Sequence, residues 1–233
     1  MSSLNRRRHL LPEMEGTTAR WYARQRGTPS QIATVRRQAA ELTGAMTSAD
    51  VLEVAPGPGY LAIEIARLGR FRVTGLDISR TMVEISQENA ATAGVTVDFR
   101  HGDATAMPFA DGSFDLIVCQ AAFKNFRQPV TALNEMHRVL RLGGLAVIED
   151  LRKEASSADI DHEVDNQRLG AVSSFITKRV LAGLRARAYS TVQFERLVTQ
   201  SHFRTCEIKT DGIGLEVRLK KFGSTASGLA AKN

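Results

Sequence analysis

Two glycines after the first strand-like segment mark the clearest place for chemistry. Gly57 and Gly59 follow the apolar residues 51–55, and a helix-like segment comes next. Glycine lets a backbone turn tightly and approach a ligand that a Cβ would exclude. With Ala62 the two glycines match a dinucleotide-binding loop, and Asp77 lies about 20 residues on, where a carboxylate can accept hydrogen bonds from ribose hydroxyls. The pattern predicts an adenosine-containing ligand, and both NAD and S-adenosylmethionine contain adenosine.

Charge near this loop favours the second of these ligands. Glu53 comes just before the loop, where it would repel a pyrophosphate and attract a sulfonium or an ammonium group. Gly102, Asp103 and Ala104 close the third strand-like segment. A carboxylate there can accept the exocyclic amine of adenine, beside a small residue that lets the backbone donate to the ring. These features predict an S-adenosylmethionine site.

The elements that would position these residues alternate between strand and helix. Strands are predicted at 51–55, 71–76, 95–100, 114–119 and 145–149, and helices at 60–68, 80–93, 130–140 and 191–200. Such alternation is typical of a parallel sheet with helices on both faces. Two further strands, at 205–210 and 215–220, flank a glycine-containing turn. The predicted fold is α/β, a doubly wound, mostly parallel seven-stranded Rossmann-like sheet that ends in an antiparallel hairpin.

Five segments are predicted along the chain. They are an N-terminal arm and helix at 1–45, a cofactor-binding core at 46–150, a helical substrate cap at 151–187, a C-terminal helix and hairpin completing the core at 188–223, and a flexible tail at 224–233. The cap prediction depends on apolar residues spaced four apart, Val172, Ile176, Val180 and Leu184. This stripe is expected to pack down over the pocket.

With these motifs in order over roughly residues 50–150, the sequence resembles the class I S-adenosylmethionine-dependent methyltransferases, in particular the small-molecule branch that includes the ubiquinone and menaquinone C-methyltransferases. The resemblance implies that the glycine loop runs under the methionyl and ribose parts and that Glu53 lies near the methionyl ammonium. It implies that Asp77 holds the ribose and that Asp103 with Ala104 meets the adenine. The expected cofactor-binding residues are Glu53, Ala55, Gly57, Gly59, Asp77, Ile78, Met82, Gly102, Asp103, Ala104 and Gln120.

Two positions depart from the family pattern. Ala55 stands where the family usually has glycine, and Leu142 stands where proline is common. Neither change removes a carboxylate that would face the ligand, so cofactor binding is still expected.

The acceptor site is expected beyond the fourth strand, because ligands of open α/β sheets lie at the carboxyl ends of the strands. Candidates for binding the acceptor are Trp21, Tyr22, Phe123, Lys124, Asn125 and Phe126. All of these except Asn125 have a second interpretation: the aromatic residues could be plain core or could bury against the sheet, and Lys124 could be a solvated loop charge. The Asn/Asp-Pro-Pro-Tyr/Phe signature of amino-methylating relatives is missing from this segment. The catalytic residues stay unknown, and His162, Lys124 and Tyr22 are weak candidates.

Composition narrows the class of protein. Of 233 residues, 43% are hydrophobic, the net charge is +6, and no apolar stretch approaches the roughly 20 residues of a membrane span. We therefore expect a cytoplasmic enzyme without bound metal that transfers a methyl group from S-adenosylmethionine to a small, cyclic or aromatic metabolite, releasing S-adenosylhomocysteine. The alternatives are an RNA methyltransferase with a basic N-terminal arm, a non-catalytic cofactor-binding module and an NAD-dependent oxidoreductase. Nucleic acid is an unfavoured partner, and a homodimer is left open.

Overall fold

The computed structural model describes residues 14–44, 46–166 and 171–223. The helices are α1 (Gly16–Arg26), α2 (Pro29–Thr43), α3 (Tyr60–Arg67), α4 (Arg80–Ala93), α5 (Pro129–Val139), α6 (Ser157–Asn166), α7 (Ala171–Arg185) and α8 (Thr191–Gln200), with a short 3-10 helix at Phe123–Asn125. The strands are β1 (Ala49–Val54), β2 (Phe71–Asp77), β3 (Asp98–His101), β4 (Phe114–Gln120), β5 (Leu140–Leu151), β6 (Glu207–Asp211) and β7 (Gly214–Lys220). The predicted tail lies outside the described residues.

The strands form a single seven-stranded sheet in the order β3-β2-β1-β4-β5-β7-β6. Strands β1 to β5 pair in parallel, and β7 runs antiparallel to both β5 and β6. Side chains of the central strands are buried on both faces: Leu52 and Ile117 enter one apolar core, and Val51 and Leu116 enter the other. The predicted mostly parallel sheet with a C-terminal hairpin is confirmed.

Two strands differ in length from their predictions. Strand β3 contains only residues 98–101. The apolar Val95 and Val97 before it pack against the core but lie outside the strand. Strand β5 begins at Leu140 rather than at 145. Its first half is held by Lys221, which follows β7. The Gly143 N–H donates to the Lys221 carbonyl (2.8 Å), and the Lys221 amine donates to the Leu140 carbonyl (2.7 Å).

The insertion after β5 is helical as predicted, but two residues of its apolar stripe do not pack inward. Ile176 and Val180 on α7 are each more than half exposed. Helix α7 instead contacts α6 through other positions, where the Lys178 amine pairs with Asp161 (2.9 Å) and Asp165 (3.3 Å). The expectation that this stripe covers a pocket is therefore wrong for Ile176 and Val180.

At the amino edge of the sheet, ion pairs join four strands. Asp50 of β1 accepts hydrogen bonds from Arg72 of β2 (2.5 and 2.8 Å) and from Arg141 of β5 (2.8 Å). Arg141 also donates to Asp115 of β4 (2.5 Å). These residues line a depression of about 370 Å³ at the end of the sheet opposite the glycine loop. The carboxylates of Asp50 and Asp115 are paired with Arg72 and Arg141. We therefore interpret the cluster as a connection between the ends of neighbouring strands.

The glycine loop generates a stability prediction. Gly59 and Gly94 both have left-handed backbones (φ +79° and +68°), but only at Gly59 would a Cβ overlap other atoms, at 2.6 Å from Phe99 and 2.8 Å from Ser86. We expect Gly94→Ala to lower the free energy of unfolding by about 1 kcal/mol, the cost of the backbone conformation. Gly59→Ala should cost about 1–3 kcal/mol more, because of the overlap.

Urea unfolding midpoints of the two variants would measure this difference. Equal losses would show that the loop shifts freely to admit a Cβ and that Gly59 is not held by packing.

Candidate functional site

Asp77, the last residue of β2, is the polar centre of the carboxyl edge of the sheet. One carboxylate oxygen accepts the N–H of Gly57 in the glycine loop (3.0 Å), and the other accepts the N–H of Ser79 just before α4 (2.9 Å). The side chain is buried, and burial raises its pKa despite these two hydrogen bonds. Asp77 therefore fixes the loop and the start of α4 relative to β2.

Glu53 supplies a second buried carboxylate, near the end of β1. It is 3% exposed and accepts a hydrogen bond from the Ala62 N–H of α3 (2.8 Å). Burial raises its pKa to about 8; the Ala62 hydrogen bond acts the other way, and the Asp77 charge raises the pKa further. Burial disfavours the charged form of both carboxyls, and a cationic group bound beside them would favour it.

The loop between β1 and α3 follows a left-handed path. Ala55, Gly57 and Gly59 all have positive φ angles, of 58°, 53° and 79°. Ala55 thus keeps the conformation that glycine would adopt easily, and its N–H donates to the Leu76 carbonyl (2.8 Å). A Cβ on Gly57 would have no atom within 4 Å, so open space adjoins the backbone there.

The residues expected near adenine lie at the same edge. The Gly102 N–H donates to the Asp77 carbonyl (2.8 Å), which brings the segment after β3 beside β2. Asp103 is exposed, and its carboxylate accepts the Thr105 N–H (2.8 Å). Ile78 is 66% exposed, whereas Met82 is 2% exposed and packs in a small cluster with α1.

Phe123 follows β4 in the segment predicted to bind the acceptor. It is fully buried and packs against Phe126, Tyr189 and Phe194, with ring centroids 5.0 to 6.1 Å apart. Phe123 is therefore a core residue, which was one of the two interpretations of its sequence. Phe126 is half-buried against the same core, and Asn125 is exposed.

Lys124 lies in a different environment from the solvated one that the sequence favoured. Its side chain is 3% exposed, and the amine pairs with the Asp150 carboxylate (2.7 Å) and donates to the Ala121 carbonyl. The Lys124 N–H also donates to Asp150 (2.9 Å). A buried charge needs such a partner, and here the partner is a residue at the end of β5. Lys124 is thus held inside the fold, away from solvent.

The remaining candidates lie on helices around the edge. Trp21 on α1 is 58% exposed, while its neighbour Tyr22 is half-buried against the cluster of Ala19, Ala23, Met82 and Ile85. His162 on α6 is exposed.

Sequence reasoning missed two groups at this edge. Glu149, at the end of β5, is half-buried, and its carboxylate accepts a hydrogen bond from Gln120, its neighbour in β4 (2.5 Å). Burial raises the pKa of Glu149. Glu15, before α1, binds the start of α4. The signal for Glu149 was present, because it ends a predicted strand, but nothing in the sequence placed Glu15 near Asp77.

Two wider features bear on the kind of site. Among residues 14–44, 46–166 and 171–223, no group of three or more His, Cys, Asp and Glu side chains could hold a metal ion. Within the same described parts of the chain, no helix has the length and apolar character needed to cross a membrane.

Comparison with known proteins finds matches to the central part of the chain. Residues 52–148 match a family model described as a methyltransferase domain. A demethylmenaquinone methyltransferase of Deinococcus radiodurans is 35% identical over 122 residues, which are 52% of this chain and 51% of that protein. A ubiquinone/menaquinone biosynthesis C-methyltransferase of Bdellovibrio bacteriovorus is 35% identical over 114 residues, 48% of each chain. The chain spans about half the length of the curated relatives it matches.

Solved structures share the fold over more of the chain. A SAM-dependent methyltransferase of Aquifex aeolicus has a TM-score of 0.64 at 17% identity, covering 85% of this chain and 96% of that one. The plantazolicin methyltransferase BpumL, solved in complex with a monoazolic desmethylPZN analogue and SAH, has a TM-score of 0.65 at 15% identity, and the match covers 88% of this chain and 89% of that one. At these identities the likeness establishes the fold alone.

The family resemblance expected from the ordered motifs is confirmed. The match of the family model coincides with strands β1 to β5 and with the glycine loop between Glu53 and Asp77. Residues 52–148 of the chain match the methyltransferase-domain family, and over this part the chain is similar to bacterial menaquinone and ubiquinone C-methyltransferases.

Proposed function

We propose that the protein transfers a methyl group from S-adenosylmethionine to a small, cyclic or aromatic metabolite. The observation that carries this proposal is the pair of buried carboxylates, Glu53 and Asp77, on either side of the glycine loop. S-adenosylmethionine bears an ammonium and a sulfonium, which would favour the ionised form of carboxyls buried in this way, whereas the pyrophosphate of NAD would disfavour it.

The arrangement of the chain fits this cofactor. Open space beside Gly57 leaves room for the ligand against the backbone, and the exposed side chain of Ile78 offers an apolar surface next to Asp77. Asp77 would hold the ribose hydroxyls, and Asp103 with Ala104 would meet the adenine. Glu53 would accept the methionyl ammonium. The bound cofactor supplies an activated methyl group, so the protein has mainly to align the acceptor and exclude water.

The acceptor would lie beyond β4 and β5, at the same edge. Gln120 and Glu149 meet there, and the raised pKa of Glu149 suits a group that takes up a proton from an acceptor. A quinone-like ring is the acceptor that the names of the two bacterial relatives suggest. Lys124 and Phe123 are buried, so they would support the segments beyond β4 and β5 from within the fold and would not touch the acceptor.

The RNA methyltransferase alternative is less well supported. Many arginines in the described parts of the chain already pair with carboxylates, as Arg72 does with Asp50, Arg138 with Glu135 and Arg218 with Glu216. Such pairing leaves less positive charge for a phosphate backbone. A cytoplasmic location and a homodimer stay predictions from the sequence.

The cofactor assignment predicts the effect of Asp77→Asn. The amide cannot offer two charged acceptor oxygens to the ribose while it holds the Gly57 and Ser79 N–H groups, so affinity for S-adenosylhomocysteine should fall by about 10- to 100-fold. Asp98→Asn is the matched control. Asp98 begins β3, so it lies at the end of that strand away from the cofactor edge, and it pairs with Arg100 on the surface. Titration calorimetry measures both.

Failure of the unmodified protein to bind either S-adenosylmethionine or S-adenosylhomocysteine would refute the proposed function. Binding of NAD alone would support the oxidoreductase instead.

The pKa of Glu53 predicts a pH-dependent stability. Below about pH 4.5 the carboxyl is protonated in both the folded and the unfolded chain, so Glu53→Gln should change little. Between pH 4.5 and about 8 the unfolded chain ionises Glu53 while the folded chain keeps it protonated. The unmodified protein should therefore lose stability relative to Glu53→Gln as pH rises, by on the order of 4 kcal/mol at pH 8.

Urea unfolding of both proteins at pH 5, 6.5 and 8, without ligand, checks this expectation. If the difference in free energy of unfolding between the two proteins were constant across that range, Glu53 would already be ionised in the fold, and another interaction would offset the cost of burying its charge.

A further inference from the structure

Glu15, which precedes α1, contacts the cofactor edge from the N-terminal arm. Its two carboxylate oxygens accept hydrogen bonds from the backbone N–H groups of Arg80 (2.9 Å) and Thr81 (3.1 Å), and one of them also accepts the Thr81 hydroxyl (2.5 Å). The bond from the Thr81 hydroxyl holds the pKa of Glu15 below its usual range, so the carboxylate is charged at neutral pH. The arm thus places an anion at the start of α4.

The start of α4 has four backbone N–H groups that the helix itself cannot satisfy. Asp77 accepts the first, from Ser79; Glu15 accepts the next two; and the Ser79 hydroxyl accepts the fourth, from Met82 (3.0 Å). Helix α4 therefore depends on three side chains, and one of these is the carboxylate proposed to bind ribose. Negative charge at a helix N-terminus is also favoured by the helix dipole.

Further contacts hold the arm in this position. The Ser79 hydroxyl donates to the Met14 carbonyl (2.6 Å), and the Gly16 N–H donates to the Thr81 hydroxyl (3.0 Å). At the other end of α1, the Tyr60 hydroxyl donates to the Ala23 carbonyl (3.1 Å). Tyr60 follows the glycine loop directly, so the arm and α1 contact the starts of both α3 and α4.

We propose that Glu15 is a positioning residue for cofactor binding: by holding the N-terminus of α4 it keeps Ser79 and Asp77 in register, and through Asp77 it holds the glycine loop. This inference rests on the proposed function. A continuous path of hydrogen bonds supports it, from Glu15 through the backbone at Arg80 and Ser79 to Asp77, and from Asp77 to the Gly57 N–H. The coupling runs both ways, so cofactor binding should also hold the arm more firmly.

A second carboxylate at the same interface provides the control. Glu84 on α4 pairs with Arg20 on α1 at 3.6 Å, but both side chains are about half exposed and neither reaches the start of α4. An exposed pair of this kind contributes little to stability. Glu84→Gln and Glu15→Gln make the same chemical change between the same two helices, one at the helix start and one away from it.

The experiment is titration calorimetry of the full chain with S-adenosylhomocysteine, at a temperature well below the unfolding midpoint of every variant. Glu15→Gln should weaken binding about tenfold, because the amide loses the charge and one of the two acceptor oxygens. Glu84→Gln should change the affinity by less than roughly twofold. Unchanged binding in Glu15→Gln, with a lowered unfolding midpoint, would overturn the proposal and leave Glu15 as a helix cap only.

Hydrogen exchange without ligand provides a second readout that does not depend on the cofactor. Peptides spanning residues 55–62 should exchange faster in Glu15→Gln than in the unmodified protein, and at the same rate in Glu84→Gln. Were the unmodified chain to bind no S-adenosyl ligand, the proposed function would fail. The exchange rates would then still decide whether Glu15 positions the loop, and equal rates in both variants would refute it.

Discussion

The buried carboxylate of Asp77 is the interaction on which the carboxyl edge of the sheet depends. It would be costly without partners, and the structure gives it the N–H of Gly57 on one side and the N–H of Ser79 on the other. Those two bonds tie together the end of β2, the loop after β1 and the start of α4. The left-handed path of the loop and the placement of α4 both follow from satisfying this one group.

The two ends of the sheet use charge in opposite ways. At the amino edge, Asp50 and Asp115 are matched by Arg72 and Arg141, so charge is neutralised within the chain and strand ends are joined. At the carboxyl edge, Glu53 and Asp77 accept hydrogen bonds from backbone N–H groups, and burial raises the pKa of both carboxyls. These two residues lie where ligands of open α/β sheets bind.

The central strands and the cofactor loop could be predicted because their signals are local. Strands buried on both faces give apolar runs, as at β1 and β4, and the glycines with Glu53 and Asp77 form a motif within about 25 residues. Contacts between distant residues could not be predicted. Lys124 is buried because of Asp150, and Glu15 meets α4 across 65 positions of sequence. The start of β5 likewise depends on Lys221.

Two arginines provide specific bonds around the helical insertion α6–α7. Arg152 donates to the Gly212 carbonyl of the hairpin turn (2.7 Å) and pairs with Asp159 (3.0 Å), and Arg185 reaches the Ala155 carbonyl (2.8 Å). The glycine loop, Asp77 and α4 make none of these contacts. In evolutionary terms, the two sets of contacts are separable: the sequence of α6 and α7 can diverge between lineages while the residues around Asp77 stay under their own selection.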